Sequence, residues 1–289
     1  MPGPNSATPR SVVITGASTG IGAACALELD RREFRVFAGV RKAADGLRLQ
    51  EQAGRWLAPL MIDVTDGSSV AEAVKTVAAA LDGGPLTGLV NNAGIVVGGP
   101  LETLPPSEFR RQLEVNVVGQ LMVTQAFLPL LRASRGRIVN IGSISGRVGV
   151  PYTGAYAASK HALKSMTDTL RIELRRWGIS VSIIEPVSVQ TPIWGKARSE
   201  AERVLDGMTP EAEALYGDDM RAMREASVRL GKEGMPVERV VRAVVHALVA
   251  WRPKTHYPIG GLTRLAFFAF RFLPAGVRDW CIRRNLGLE

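Results

Sequence analysis

The sequence predicts an α/β protein in which helices cover both faces of one doubly wound parallel sheet. Short apolar segments rich in β-branched residues alternate with longer segments of helical periodicity along most of the chain. The short segments are apolar on both faces, and helical connections are what parallel neighbours require. A chain of 289 residues that is 46% hydrophobic suits one large domain.

The elements are predicted in order from these two patterns. Strands are expected at residues 11–15, 34–40, 57–63, 88–93, 136–143 and 179–186. The clearest helical segments lie between them, at residues 23–32, 68–81, 108–131 and 155–178. A helix near residues 237–250 and a short strand at THYPI complete the pattern. Ligands of such sheets bind beyond the carboxyl ends of the strands, so functional residues are expected there.

The domain organisation follows from shifts in composition. Residues 1–9 contain Pro, Gly, Ser and Asn without an apolar run, which predicts a flexible tail and no signal peptide. Residues 10–260 form the sheet domain, in which residues 192–235 are a helical substrate flap or an ordinary surface excursion. Residues 261–289 form a C-terminal helical, amphipathic extension. No run of about eighteen apolar residues predicts a membrane-spanning helix.

Charge and cysteine content narrow the function classes. The formal net charge is +9, but the basic residues are scattered and no zinc finger, basic zipper or aromatic RNA-binding motif is present. We therefore expect no nucleic-acid partner and favour an anionic cofactor or lipid. Cys25 and Cys281 form neither a disulfide framework nor a metal-ligand spacing, so we expect no metal and a cytoplasmic, reducing location.

A glycine-rich loop follows the first strand and opens a helix. It reads TGASTGIG, with the spacing G-x-x-x-G-x-G. Glycines let the backbone approach a pyrophosphate, whose charge is met by the free N–H groups and the dipole at the helix start. A plain strand-to-helix turn is the alternative. The candidate cofactor residues of this loop are Gly16, Ser18, Thr19, Gly20, Ile21 and Gly22.

The residues that end the second strand indicate which dinucleotide is preferred. An acidic residue about twenty positions after the glycines typically binds a free ribose 2′-hydroxyl, whereas a basic residue suits a 2′-phosphate. Here the strand ends in Arg41 and Lys42. The sequence therefore favours NADP(H), with NAD(H) as the alternative if the two cations are simply exposed loop residues.

Two further strand ends carry polar or small residues. Asp63 and Val64 end the third strand, where a carboxylate can accept a hydrogen bond from an adenine amino group. Asn92, Ala93 and Gly94 end the fourth, where small side chains leave room for a nicotinamide ribose. Each group taken singly could be an ordinary turn.

The candidate catalytic residues are Asn116, Ser143, Tyr156 and Lys160. Tyr156 and Lys160 stand at i and i+4 on a predicted helix, so their tips can reach one ligand. A tyrosine that acts as a base near neutral pH needs its pKa lowered by about three units, or roughly 4 kcal/mol. An ammonium about 4 Å away supplies about that much at an effective dielectric constant of 20. The pair alone is common by chance.

With TGASTGIG, NNAG, Asn116, Ser143 and YAASK in this order, the chain resembles the classical short-chain dehydrogenase/reductase family over residues 10–192. The resemblance implies a Rossmann fold, with Tyr156 exchanging a proton with the substrate oxygen and Ser143 polarising that oxygen. Lys160 would lower the pKa of Tyr156 and bind the nicotinamide ribose, and Asn116 would support a water.

The resemblance also implies a cofactor loop after the sixth strand. Its candidate residues are Pro186, Val189 and Thr191. The family usually has Pro-Gly at the start of this loop, whereas Val187 follows Pro186 here. Because valine cannot readily adopt positive φ, we expect this loop to be shaped differently.

The C-terminal extension bears on the substrate. Arg264, Arg271 and Arg283 interleave there with aromatic residues such as Phe268 and Trp280. Such a segment packs on its own domain or a dimer mate, covers a substrate pocket, or lies peripherally on an anionic membrane. Together with FAGVRK and TPIWGKA, it resembles more loosely the branch of retinol and 17β-hydroxysteroid dehydrogenases.

The expected function is therefore alcohol–carbonyl interconversion on an apolar, steroid-, retinoid- or lipid-like substrate. The family resemblance suggests a homodimer or homotetramer built on helices at 106–132 and 154–178. A catalytically silent dinucleotide-binding sensor or assembly protein is the alternative, because fold alone does not fix function.

Overall fold

A computed structural model describes residues 9–260 and 272–288. In these ranges the strands are β1 (Ser11–Ile14), β2 (Arg35–Val40), β3 (Leu57–Met61), β4 (Gly88–Asn91), β5 (Arg137–Ile141), β6 (Ser180–Pro186) and β7 (His256–Ile259). The α-helices are α1 (Gly20–Arg31), α2 (Ala43–Gln50), α3 (Gly67–Leu81), α4 (Pro106–Leu113), α5 (Gly119–Ser134), α6 (Gly154–Glu173), α7 (Ile193–Asp206), α8 (Pro210–Glu233), α9 (Glu238–Val249) and α10 (Ala275–Leu286).

The strands form one parallel sheet in the order β3-β2-β1-β4-β5-β6-β7. The chain moves outward from β1 to β3, then returns to the other side of β1 at β4. This reversal creates the crevice in which doubly wound sheets bind ligands, at the carboxyl ends of the strands. The predicted sheet is confirmed.

Alternate residues of the strands supply two separate cores. On β1, Val12 and Ile14 pack toward α1 and α9, whereas Val13 packs with Phe127 and Leu131 of α5 on the opposite face. These side chains are fully buried. Burial on both faces explains why the strand segments are apolar throughout.

The ends of the elements differ from the sequence prediction in a systematic way. The predicted strands at 57–63, 88–93 and 136–143 each end two residues earlier, because the last residues leave the ladder and enter the loops of the crevice. The predicted continuous helix at 108–131 is interrupted by a π-helical turn at Glu114–Val118. Both differences fall at candidate site residues.

The segment predicted as a helical flap contains α7 and α8. Val189 and Met235 form a short parallel bridge where this segment leaves and rejoins the domain. Near the end of the chain, Leu286 and Leu288 are buried against Ala226 of α8. This contact favours packing of α10 on its own domain.

Two predicted segments lie largely outside the described residues. They are residues 1–8 of the predicted tail and residues 261–271 of the predicted extension, the latter with Arg264, Phe268 and Arg271. Among the described residues, the stretch Pro106–Ser134 is long and apolar enough to cross a membrane by length and composition. A core helix passes the same test, and Phe127 and Leu131 of this stretch are fully buried against the sheet.

Candidate active site

The glycine loop between β1 and α1 has room for backbone but not for side chains. Gly16 and Gly20 have φ of 65° and 61°, which L residues rarely adopt. A β carbon on Gly22 would lie 2.4 Å from the Gly16 carbonyl oxygen. Thr19 precedes α1 and makes no side-chain capping hydrogen bond. The first N–H groups of α1 therefore lack a side-chain cap, which suits the pyrophosphate of a dinucleotide.

Asn92 braces this loop. Its Nδ2 donates to the carbonyl oxygens of Thr15 at 3.0 Å and Gly16 at 2.9 Å. The Thr15 hydroxyl in turn accepts from the backbone N–H groups of Asn92 and Ala93, both at 3.0 Å. Sequence reasoning missed Thr15, although a hydroxyl directly after an apolar strand was a usable signal. Asn92 thus positions the glycine loop through hydrogen bonds to its backbone.

The adjacent strand ends lie where the adenosine half of the cofactor is expected. Ala17 N–H donates to the Gly39 carbonyl at 2.8 Å, which places exposed Arg41 two residues from a contact with the glycine loop. At the end of β3, Asp63 Oδ1 accepts from Thr65 N–H at 3.0 Å and from its hydroxyl at 2.8 Å. Lys42 is also exposed, and Val64 is buried behind Asp63.

The loop after β6 lies close to the glycine loop. A β carbon on Gly20 would lie 3.4 Å from Cβ of Thr191. Val189 is buried, and its carbonyl accepts from the Trp194 indole N–H at 2.8 Å. Pro186 ends β6, and Val187 N–H donates to the Ile259 carbonyl at 3.1 Å.

Val187 does not have the positive φ that glycine would permit at this place. The described non-glycine residues with positive φ are Glu33, Asp82, Arg135 and Tyr152. Val187 therefore sits in this loop without a positive φ, and a loop shape that differs from the family's stays a prediction.

Ser143 and Tyr156 meet beyond the carboxyl end of β5. Ser143 caps a short 3₁₀ turn, Ile144–Gly146, and its Oγ accepts from Ser145 N–H at 3.1 Å. Tyr156 lies in the first turn of α6. Burial raises the pKa of Tyr156, and a hydrogen bond with the Ser143 side chain opposes that rise. The direction is opposite to the sequence expectation, because burial outweighs the hydrogen bond. Lys160 Nζ lies over the Tyr156 ring, 5.6 Å from its centroid.

Lys160 is buried on the same helix face. Its Nζ donates to the Ile141 carbonyl, the last of β5, at 2.8 Å. Only 5% of the residue is exposed, and burial lowers its pKa to about 8. A lysine with this pKa changes charge near physiological pH and can release or take up a proton there.

Asn116 lies in the π-helical turn between α4 and α5. Its Oδ1 accepts from Ile95 N–H at 2.9 Å, and its Nδ2 donates to the Ile95 carbonyl at 3.1 Å and to Ser159 Oγ at 3.1 Å. Ser159 Oγ donates to the Tyr156 carbonyl at 2.7 Å. Asn116 thus links the loop after β4 to α6, one residue from Lys160. The extra residue of a π-turn redirects a side chain, and such turns are frequent at functional sites.

Gln112 and Gln120 are two positions near the site that sequence reasoning missed. Gln112 Oε1 accepts from Val97 N–H at 2.7 Å, and Gln120 Nε2 donates to the Ala93 carbonyl at 3.0 Å. Both side chains are buried. They hold the backbone near Gly94, which is itself exposed in the crevice. Polar residues inside an apolar helical segment were the available signal.

Helix α8 lies near the site through tyrosine contacts. The Tyr152 hydroxyl, four residues before Tyr156, donates to Asp219 of α8, and the Tyr216 hydroxyl donates to Glu102. The rings of Tyr152 and Tyr216 pack edge to face, with centroids 6.3 Å apart. The Tyr152 carbonyl also accepts from Gly99 N–H at 2.8 Å. These contacts bring α8 to the loops that follow β4 and β5.

Comparisons with known proteins identify the family of the chain. The family model of the short chain dehydrogenases matches residues 10–202. A 3-amino-tetrahydro-pyrrolizinone reductase of Xenorhabdus hominickii is 37% identical over 88% of this chain and 87% of its own length. An NADPH-dependent 3-dehydrocapnine reductase of Ornithobacterium rhinotracheale is 36% identical over 96% of this chain and 97% of its own length.

Human retinol dehydrogenase 5 is 36% identical over 93% of this chain and 86% of its own length, which confirms the resemblance to the retinol dehydrogenase branch. A short-chain dehydrogenase from Streptomyces avermitilis superposes with a TM-score of 0.77 at 26% identity, covering 95% of both chains. The chain therefore belongs to the short-chain dehydrogenase family of oxidoreductases, which interconvert alcohols and their carbonyl compounds.

Proposed function

We propose that this oxidoreductase acts on a fairly apolar alcohol–carbonyl pair, steroid-, retinoid- or lipid-like, and prefers NADP(H) to NAD(H). The observation that carries the proposal is the Ser143–Tyr156 hydrogen bond beside buried Lys160, with the glycine loop in the same crevice. The similarity to retinol dehydrogenases supports an apolar substrate.

Each catalytic residue has a distinct role in the proposal. A bound nicotinamide cofactor supplies or accepts the hydride. Tyr156 exchanges the proton with the substrate oxygen, and the Ser143 hydroxyl polarises that oxygen. Lys160 binds the ribose and, when charged, lowers the pKa of Tyr156. Asn116 holds the segment beside Lys160 in place and supports a water there.

The proposed cofactor preference rests on Arg41 and Lys42. Both are exposed at the end of β2, and the contact of Ala17 with Gly39 keeps that end beside the glycine loop. Guanidinium groups bind phosphate with paired hydrogen bonds. The first acidic residue after β2 is Asp45. The NADPH-dependent relative is consistent with this preference.

The proposed setting is a cytoplasmic homodimer or homotetramer. The C-terminal segment is its proposed site of peripheral membrane contact, since basic residues alternate with aromatic ones there.

Tyr156→Phe tests the catalytic proposal directly. We expect turnover of ketone and alcohol substrates to fall at least 10³-fold, because phenylalanine has no proton to exchange, while the affinity for NADP(H) stays within about threefold. Turnover is followed by nicotinamide absorbance over a panel of steroids, retinoids and simple ketones. Wild-type protein that binds cofactor but turns over nothing in this panel would favour the silent sensor.

A further inference from the structure

An ion pair between exposed Arg147 and buried Glu185 joins the turn after Ser143 to β6. Glu185, next to the last residue of β6, has a fully buried side chain. Arg147 donates to it through Nε to Oε1 and through Nη2 to Oε2, both at 2.7 Å. This paired geometry is the strongest that an arginine and a carboxylate form.

The pair continues into β7 and α6. His256 Nδ1 lies 3.3 Å from Glu185 Oε2, and its Nε2 lies 3.0 Å from Asp168 Oδ1. Asp168 also accepts from Lys164 Nζ at 3.0 Å. The charged groups thus connect the loop after β5 with β6, β7 and the helix that carries Tyr156 and Lys160.

Stability alone is a weak reason for this arrangement. Removing a carboxylate from water costs several kcal/mol, about as much as a good ion pair returns, and apolar residues of similar volume often hold such a place equally well. An ion pair differs from apolar packing mainly because its hydrogen bonds are directional and therefore fix the orientation of both side chains.

Arg147 ends the turn that begins at Ser143. Gly146 N–H donates to the Ser143 carbonyl at 3.0 Å, and Arg147 N–H donates to the Ile144 carbonyl at 2.9 Å. A β carbon on Gly146 would lie 2.8 Å from the Lys160 carbonyl oxygen, so the turn is pressed against α6. Arg147 is therefore linked through this turn to Ser143.

We propose that Arg147 and Glu185 are positioning residues whose ion pair orients the Ser143 hydroxyl toward Tyr156 and the substrate oxygen. The inference rests on the catalytic roles proposed above for Ser143 and Tyr156. Without the pair, the turn keeps the backbone hydrogen bond from Gly142 N–H to the Ile184 carbonyl but loses its side-chain anchor on β6. Ser143 then shifts, and a displacement of about 1 Å at a catalytic group costs on the order of 10²-fold in rate.

The test replaces both partners together, so that no unpaired charge stays buried. We expect Arg147→Met/Glu185→Met to unfold within a few degrees of wild type and to bind NADP(H) with wild-type affinity, while kcat falls 10- to 100-fold. In a Ser143→Ala background the same double substitution should lower kcat less than threefold, because the group it positions is gone. Arg31→Met, which removes a similar but exposed contact to Glu28 on α1, is the matched control and should leave kcat unchanged.

Arg147→Lys gives a second route if the double variant does not fold. It keeps the charge but loses the paired contact, so we expect an intermediate loss of kcat that again nearly disappears in the Ser143→Ala background. Wild-type kcat in the double variant, an equal loss of kcat in both backgrounds, or a parallel loss of cofactor affinity would overturn the positioning role. Ser143→Ala with wild-type turnover would contradict the proposed role of Ser143 itself, and this inference with it.

Discussion

Lys160 shows how a single functional residue opposes the stability of the fold. Its ammonium is buried with the Ile141 carbonyl as its hydrogen-bond partner, and burial lowers its pKa from 10.5 to about 8. A shift of that size corresponds to a cost of about 3 kcal/mol when the lysine is charged. Active-site residues commonly impose such costs.

Lys160→Met should therefore stabilise the cofactor-free protein at pH 7 by about 1–3 kcal/mol, since a similar shape is buried without the charge. Below pH 8 Lys160 is protonated in both the folded and the unfolded state, and the full cost of burying its charge is present. Between pH 8 and 10.5 only the unfolded state holds the proton, so wild-type stability rises with pH and the gain disappears near pH 10.5. Urea unfolding at pH 7 and pH 10 measures this, with exposed Lys75→Met as the control. An equal gain at both pH values would contradict it.

Arg41→Asp tests the cofactor preference at the residue scale. A carboxylate repels a 2′-phosphate and accepts hydrogen bonds from a ribose 2′-hydroxyl. We expect the ratio of kcat/KM for NADP(H) to that for NAD(H) to fall at least 10-fold. Arg55→Asp reverses an exposed charge just before the amino end of β3, at the other end of the strands from Arg41, and should leave the ratio unchanged. An unmoved ratio in Arg41→Asp would exclude a phosphate contact by this residue.

The sequence could predict which residues gather at the site but not what each one contacts. The order of strands brings Gly16, Gly94, Ser143 and Thr191 to one edge of the sheet, because parallel strands share the direction of their carboxyl ends. That the Asn92 amide binds Thr15 and Gly16 depends on side-chain torsions, which local patterns do not specify. The raised pKa of Tyr156 likewise depends on burial, which spacing along a helix does not reveal.

The turn from β1 into α1 is the element whose geometry tolerates least change. In Gly22→Ala, the new methyl group would stand 2.4 Å from the Gly16 carbonyl oxygen and 2.5 Å from Asn92 Nδ2. We expect a loss of about 1–3 kcal/mol in unfolding free energy from this overlap and at least a 10-fold loss of NADP(H) affinity, because the turn must open. Thermal unfolding and cofactor titration measure the two effects. In Gly276→Ala, where nothing lies within 4 Å, both quantities should stay near wild type.

At the scale of elements, periodicity predicted the strands and most of the helices, whereas α2 and the interruption of the long helix were missed. The residues of the π-helical turn Glu114–Val118 carry no helix-breaking signal. The turn coincides with the contact of Asn116 with Ile95, a residue 21 positions earlier. Such long-range contacts override local preference, and they are invisible to a helical pattern.

At the scale of the molecule, the proposed homo-oligomer is expected to bury exposed apolar side chains on the α4–α5 and α6 segments. Val118 is 44% exposed and Ile172 is 67% exposed. Ile172→Glu should shift the protein toward monomer in sedimentation velocity, since a buried unpaired carboxylate would oppose association. Leu47→Glu changes an equally exposed leucine on α2 and should leave the assembly intact. A monomeric wild-type protein would contradict the proposed assembly.

The loop that follows β5 is anchored at both ends, and this has a consequence for evolution. Arg147 is fixed by Glu185, and the Tyr152 carbonyl is fixed by Gly99, whereas a β carbon on Gly149 between them would meet nothing within 4 Å. Val150 packs against the cluster of Ala226, Leu286 and Leu288. Gly149 is therefore the position of this loop at which other residues can accumulate, in evolution or in a library, while the proton-transfer groups keep their places.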